Sequence, residues 1–297
     1  MRIGLSIVAL MMFGGCDYQA GQFDHQATLH TQTRGVVVHE NGDVAQAGMF
    51  GTTCDVYTGD ASIGTDYDYA SDEEVVTDIH MGEVLIVSPD SIIIQDGRNA
   101  GEVAQPGVVD SRLTDDGFVS VSGNDAGCSV SWTGDMTVST AVDSGLCNST
   151  SMSVDRTNGN AFVGTADGAF GVDADGATQI DTVSDLISWD PTAEVLYAAT
   201  SGGIEVLGLE ADGTERWSVQ LDGAVASLEA MGTLGQAVVS IQKYSGHGEI
   251  VTIDGITGEV LTAVATPSAA DDLASSEDGS MVAVTTESAV HFFKMGE

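Results

Sequence analysis

The densest group of side chains able to hold an ion is the acidic stretch 60–78, which carries Asp66, Asp68, Asp72, Glu73 and Glu74. Carboxylates at this density suit Ca²⁺, which takes roughly 6–8 oxygen ligands. In a chain this acidic, the same stretch reads first as a solvated insertion loop, with a short helix started by Ser71. A second calcium-like fragment, Asp173-Ala174-Asp175-Gly176, lacks a third alternating acid, and Asp-Gly is also the dipeptide expected at a tight hairpin. The calcium candidates are therefore Asp66, Asp68, Asp72, Asp173 and Asp175, and no other cofactor is implied. The histidines at 25, 30, 39, 80, 247 and 291 show neither HxxxH nor HExxH spacing, so the sequence assembles no zinc site. Neither a GxSxG elbow nor a phosphate-cradling glycine loop is present. No catalytic residue is assigned.

Cysteine chemistry is more specific. Residues 1–16 read MRIGLSIVALMMFGGC: one arginine, an apolar run from Ile3 to Phe13, then Gly14, Gly15 and Cys16. The run is shorter than the roughly 20 residues a membrane-spanning helix needs, but it fits the core of an export signal. With two small residues before the cysteine, the segment resembles the lipobox of bacterial lipoproteins, departing from it at Phe13 where leucine is usual. The resemblance implies cleavage after residue 15, acylation of Cys16, and a polar tether over 16–26 in a membrane-anchored protein of the cell envelope. An exported chain meets oxidising conditions in which disulfides persist. Of Cys54, Cys128 and Cys147, the pair nearest in sequence is Cys128 and Cys147, and one thiol is left over.

Composition narrows the partners. The 297 residues carry 45 Asp and Glu against 8 Lys and Arg, a net charge of −37. Such a field repels nucleic acid and anionic lipid headgroups, both of which are bound through clustered Lys and Arg. The charge resembles that of proteins from salt-adapted organisms; a partner with a basic patch is the functional alternative. Disorder is excluded by the 42% hydrophobic content, enough for a large core.

Positioning elements come from a repeat. Asp185–Asp190, Leu196–Thr200 and Gly203–Val206 match Asp272–Glu277, Val282–Thr286 and Ala289–Phe292; an intermediate unit holds Ala237–Ile241 and Glu249–Ile253, and an earlier one Met152–Asp155, Ala161–Thr165 and Ala169–Val172. In each unit a small-residue strand bearing Ser or Asp precedes a β-branched strand, a glycine hairpin and an alternating strand. Asn-Gly and Asp-Gly turns at 158, 167, 175, 212, 254 and 278 separate them. Four strands per roughly 40 residues is the arithmetic of a β-propeller blade. The fold class is all-β, a β-propeller of seven blades over residues 27–297, with six or eight as the alternatives. The last unit stops after its third strand, so a segment near the N-terminus, Ala27–Thr33 or Gly35–His39, is expected to supply the fourth and close the ring. Trp132, Trp189 and Trp217 are expected to pack between blades.

Ile250–Leu261 and Val206–Trp217 resemble the PQQ-like repeat, and the blade pattern as a whole resembles WD40-like proteins. The first family includes both cofactor-free assembly lipoproteins and quinoprotein dehydrogenases, so the resemblance speaks to fold rather than activity. The expectation is a non-catalytic, lipid-anchored scaffold that binds protein partners. The alternative is a propeller-type enzyme (lactonase, lyase or quinoprotein-like) with its site at the channel mouth.

Overall fold

A computed structural model describes strand segments 23–29, 33–38, 44–48, 53–57 and 67–68, and residues 75–295 apart from 81–82, 89, 97–98, 125–126, 134–137, 143, 174, 267, 269, 271, 277 and 287–288. Cys16, Asp66 and Asp72 lie outside the described residues, and Asp68 is described only as backbone, paired with Thr53.

Short runs of β-branched and small residues, most of them four to eight long and separated by turns, form strands rather than long helices. Among the described residues, 28 strands assort into seven four-stranded antiparallel sheets. The fifth is typical: Leu186–Asp190, Val195–Ala199, Glu205–Leu209 and Glu215–Gln220 lie side by side in chain order. The first sheet runs from Thr33 to Asp68, the second from Val75 to Ala104, the third from Val108 to Val142, the fourth from Ser149 to Asp181 and the sixth from Ala224 to Thr266. The first strand of each sheet packs against the first strand of the next. That of the seventh, Asp272–Ser275, returns to Thr33–Val38.

The seventh sheet takes three strands from the end of the chain and its outermost from the beginning, since Phe23–Leu29 pairs antiparallel with Ala289–Met295. Of the two expected closing segments, the first is met over Ala27–Leu29 and the second needs correction. The closing strand begins at Phe23, inside the span assigned to the tether, and Gly35 and its neighbours belong to the innermost strand of the first sheet. Val290, Phe292 and Phe293 on the partner strand are buried, so pairing there covers an apolar edge.

The core lies between sheets. Val195, Tyr197, Val206 and Trp217 of the fifth sheet pack with Val225, Val239, Ile241 and Ile253 of the sixth. All three tryptophans work at such seams. Trp132 donates to Gly159 O of the fourth sheet's turn at 2.7 Å, Trp189 stacks on Phe162 with centroids 5.0 Å apart, and Trp217 donates to Gly255 O at 2.9 Å. Gly258, at φ +72°, must be glycine on two counts, because a Cβ would also sit 2.7 Å from the Trp217 ring.

Candidate functional site at the centre of the ring

Each sheet's first strand is where the sequence places small residues with a Ser or Asp, and the structure explains that choice. Backbone N–H groups of one inner strand are received by a short polar side chain of the preceding one. Asp78 Oδ2 accepts from Leu113 N at 2.7 Å, Ser151 Oγ from Ile187 N at 3.0 Å, Ser153 Oγ from Trp189 N at 2.9 Å and Ser188 Oγ from Ala230 N at 2.9 Å. Ser275 Oγ donates to Ala230 O at 2.7 Å, continuing the series into the seventh sheet. Each bond contributes about 1 kcal/mol net, and each lost acceptor would leave a buried N–H unsatisfied.

Charged groups converge inside this girdle. Arg156, just past the fourth sheet's inner strand, reaches back over Leu113 of the third to Asp78 of the second. Its Nη1 and Nη2 donate to Asp78 Oδ2 and Oδ1 at 2.8 and 2.9 Å, and Nη1 also donates to Leu113 O at 2.9 Å. Arg112 pairs with Asp110 and donates to Ser111 O at 2.8 Å. Glu229, on the sixth sheet, feels Arg112, Asp78, Asp272 and Arg156. Sheets three and six are not neighbours, so these groups meet across the middle of the ring.

The electrostatics follow from crowding. Burial pushes Asp78 upward, but the Arg156 guanidinium outweighs it and holds the carboxyl below the ordinary range. Burial wins at Asp110, which is raised despite Arg112. Glu229 is pushed up to about 8, first by burial, with Asp78 and Asp272 adding to the rise against the pull of Arg112 and Arg156. Four carboxylates thus face two guanidinium groups, and the pairing leaves Glu229 as the member whose proton is held near neutral pH.

This centre was not found in the sequence. Its six members are 32 or more residues from their principal partners, apart from Asp110 and Arg112, and no motif links them. The signal available was the Ser or Asp in each unit's first strand. His80, unassigned in sequence, is buried with its Nε2 3.0 Å from Asp115 Oδ1.

Of the candidate metal residues, Asp173 and Asp175 have described side chains, on one hairpin of the fourth sheet. Asp173 Oδ1 accepts from the backbone N–H of Asp175 at 2.8 Å and of Gly176 at 3.2 Å, so Asp173 shapes the hairpin turn. Among the described residues no group of three His, Cys, Asp or Glu is arranged to hold a metal ion. Cys128 and Cys147 form a disulfide with Cα atoms 5.5 Å apart, tying the third sheet to the 3₁₀ turn Ser144–Asn148. Gly123 makes room for it, since a Cβ would lie 2.8 Å from Cys147 Sγ. Cys54 lies on the strand Thr53–Tyr57 of the first sheet.

No protein-family model matches the chain, and no curated protein matches it. Solved structures do. A crystal structure of BBS1N in complex with ARL6DN matches with TM-score 0.72 and 11% identity over 93% of this chain and 98% of that one. A chain of the mitotic checkpoint complex matches with TM-score 0.71 and 11% identity over 97% and 100%. The Cps50 (Swd1) β-propeller domain of Myceliophteria thermophila matches with TM-score 0.70 and 11% identity over 92% and 99%. At these identities the likeness concerns fold alone, and it establishes that the chain is an all-β β-propeller.

Proposed function

We propose that the protein is an exported, lipid-anchored scaffold that binds other proteins through a seven-bladed ring closed by its N-terminal strand, and that it performs no chemistry. One observation carries the reading: both guanidinium groups at the centre are spent on carboxylates and on backbone groups of the ring, Arg156 on Asp78 and Leu113 O, Arg112 on Asp110 and Ser111 O. An enzyme site needs acids, bases or donors aimed at a substrate. The neighbours in fold include chains solved within complexes, BBS1N with ARL6DN and the mitotic checkpoint complex, which supports a role in assembly. The apolar run Ile3–Phe13 followed by Gly14-Gly15-Cys16 supports the anchor. In this reading the carboxylate surface keeps the exported domain hydrated in salt, and bound calcium is not required.

The test is fractionation with metabolic acyl labelling of the parent and Cys16→Ser, combined with cross-linking of the anchored protein in its envelope. The parent should take up label and stay with membranes, Cys16→Ser should do neither, and cross-links should join the ring to a defined protein. Membrane association without label in the parent would overturn the anchor. A labelled ring with no cross-linked protein would overturn the scaffold.

A further inference from the structure

The outermost strand of the sixth sheet, Val260–Thr266, reads VLTAVAT and contains no charged residue. Among the described residues its one paired neighbour is Gly248–Asp254, so its other edge presents a row of backbone N–H and C=O groups. Folded proteins blunt such edges with charge. Here Asn99–Ala104 carries Glu102, Gly176–Asp181 carries Asp181, Glu215–Gln220 carries Glu215 and Arg216, and Phe23–Leu29 carries Asp24. The other uncharged outer strand, Val138–Val142, lies against Gly176–Asp181 of the next sheet. Val260–Thr266 lacks the usual guard.

Exposed apolar side chains gather at the same corner. Ile256 is 74% exposed, Leu234 41%, and Val260 and Leu261 40% each. Leu234 sits on the neighbouring turn, joined by Gly255 N donating to Gly235 O at 2.9 Å, and faces Gly279 of the seventh sheet, so Ile256, Val260 and Leu261 form the corner. Ala263 and Ala265 alternate along one face of the strand, Leu261 lies at a bulge between Val260 and Thr262, and all three are exposed. At its start the strand is preceded by the exposed Glu259 and the turn residue Asp254.

We propose that this edge docks an extended segment of a partner protein, which adds a fifth strand to the sixth sheet. Main-chain hydrogen bonds supply the affinity, and the exposed Ile256, Val260 and Leu261 at the start of the strand receive the segment's apolar side chains. Seven residues give an edge of about 23 Å, room for a strand of similar length. The occupant is a foreign chain of β-branched residues with a Lys or Arg beside Glu259 and Asp254. A second copy would bring another −37 charge to the interface. The inference rests on the scaffold reading and gives it a surface.

Hydrogen exchange of the whole folded chain tests it. The probe is a peptide of about nine residues, alternating valine and threonine between terminal lysines. Its control has the same sequence with alternate amides N-methylated. The first peptide should slow exchange along Val260–Thr266 by about tenfold or more and leave other outer strands unchanged. The methylated peptide should not. Ala263→Lys, on an exposed position, should abolish protection at an unchanged melting temperature; if that variant is destabilised, the methylated control still decides. Equal protection by both peptides, or protection elsewhere, overturns strand addition, and a peptide-free dimer protected at this edge overturns the foreign partner. Cross-links that fall elsewhere while this strand stays unprotected would sink the inference and leave the scaffold standing. A peptide-competent edge with no partner in the envelope would do the reverse.

Discussion

Arg156 and Asp78 are 78 residues apart and two sheets apart, yet they form a two-pronged ion pair at 2.8 and 2.9 Å across the Leu113 backbone. The bond holds sheets two, three and four as one unit. Arg156 is 27% and Asp78 10% exposed at the side chain, so the pair is only weakly screened by solvent.

Breaking it from one side leaves the other charge stranded. Arg156→Ala is expected to cost about 3–5 kcal/mol of stability. Asp78→Asn should cost less, since its amide oxygen can still accept from Leu113 N. In the double variant the losses should fall short of additive. Urea unfolding of all four proteins measures this; fully additive losses would mean that the pair does not act as a unit.

Glu229 predicts a stability that falls with rising pH. Its carboxyl is raised in the folded ring to about 8, above its ordinary value of 4.5. Between those limits the folded state binds more protons than the unfolded one, so stability is full below the ordinary value and is lost as pH rises through about 8. Glu229→Gln should flatten that decline and melt above the parent at pH 9, by roughly 2–4 °C for each kcal/mol recovered. Asp78 works in the opposite window. Its lowered carboxyl stabilises the fold above the ordinary carboxylate range, and that contribution is lost on acidification through its folded value. Parallel melting curves of parent and Glu229→Gln over pH 5–9 would refute the assignment.

Removing the closing strand should open the ring. A chain lacking Phe23–Leu29 exposes the edge of Ala289–Met295, beside buried Phe292 and Phe293. It is expected to aggregate or lose its single cooperative transition. Deletion of 17–21 should leave the transition unchanged. Circular dichroism and calorimetry of both truncations decide, and a monomeric first truncation with the parent melting temperature would show that the strand is dispensable.

Salt should stabilise the domain as a whole. With a net charge of −37, repulsion grows as the Debye length lengthens from about 3 Å at 1 M to about 30 Å at 0.01 M. The melting temperature should fall steadily over that range. A curve insensitive to ionic strength would remove charge repulsion as a limit on stability, and a response to micromolar Ca²⁺ at fixed ionic strength would point to a specific ion site instead.

Local chemistry made the repeating parts legible in the sequence. Strands such as Val195–Ala199 and Met281–Thr286 are short β-branched runs, and turns such as Asp278-Gly279 place glycine at φ +69°, where few other residues are comfortable. Those signals act over a few residues and recur with the unit, so the propeller and its repeat could be read from spacing. The Cys128–Cys147 pairing was legible for the same reason: its partners are only 19 residues apart.

What the tertiary structure decided depends on closure in space. The pairing of Phe23–Leu29 with Ala289–Met295 joins opposite ends of the chain, and FDHQATL has no distinctive pattern that marks where a closing strand begins. The central charges are likewise single residues on separate strands. Asp78, Arg112, Arg156 and Glu229 become neighbours because a ring brings every inner strand to one axis, and their burial and pairing follow from that convergence. Asp173 teaches the converse. Its spacing in the sequence is that of an acidic fragment, and in the fold its Oδ1 takes two backbone N–H groups of a turn at 2.8 and 3.2 Å. Sequence fixes which hydrogen-bonding groups exist; only the folded ring determines which of them are consumed by the structure itself.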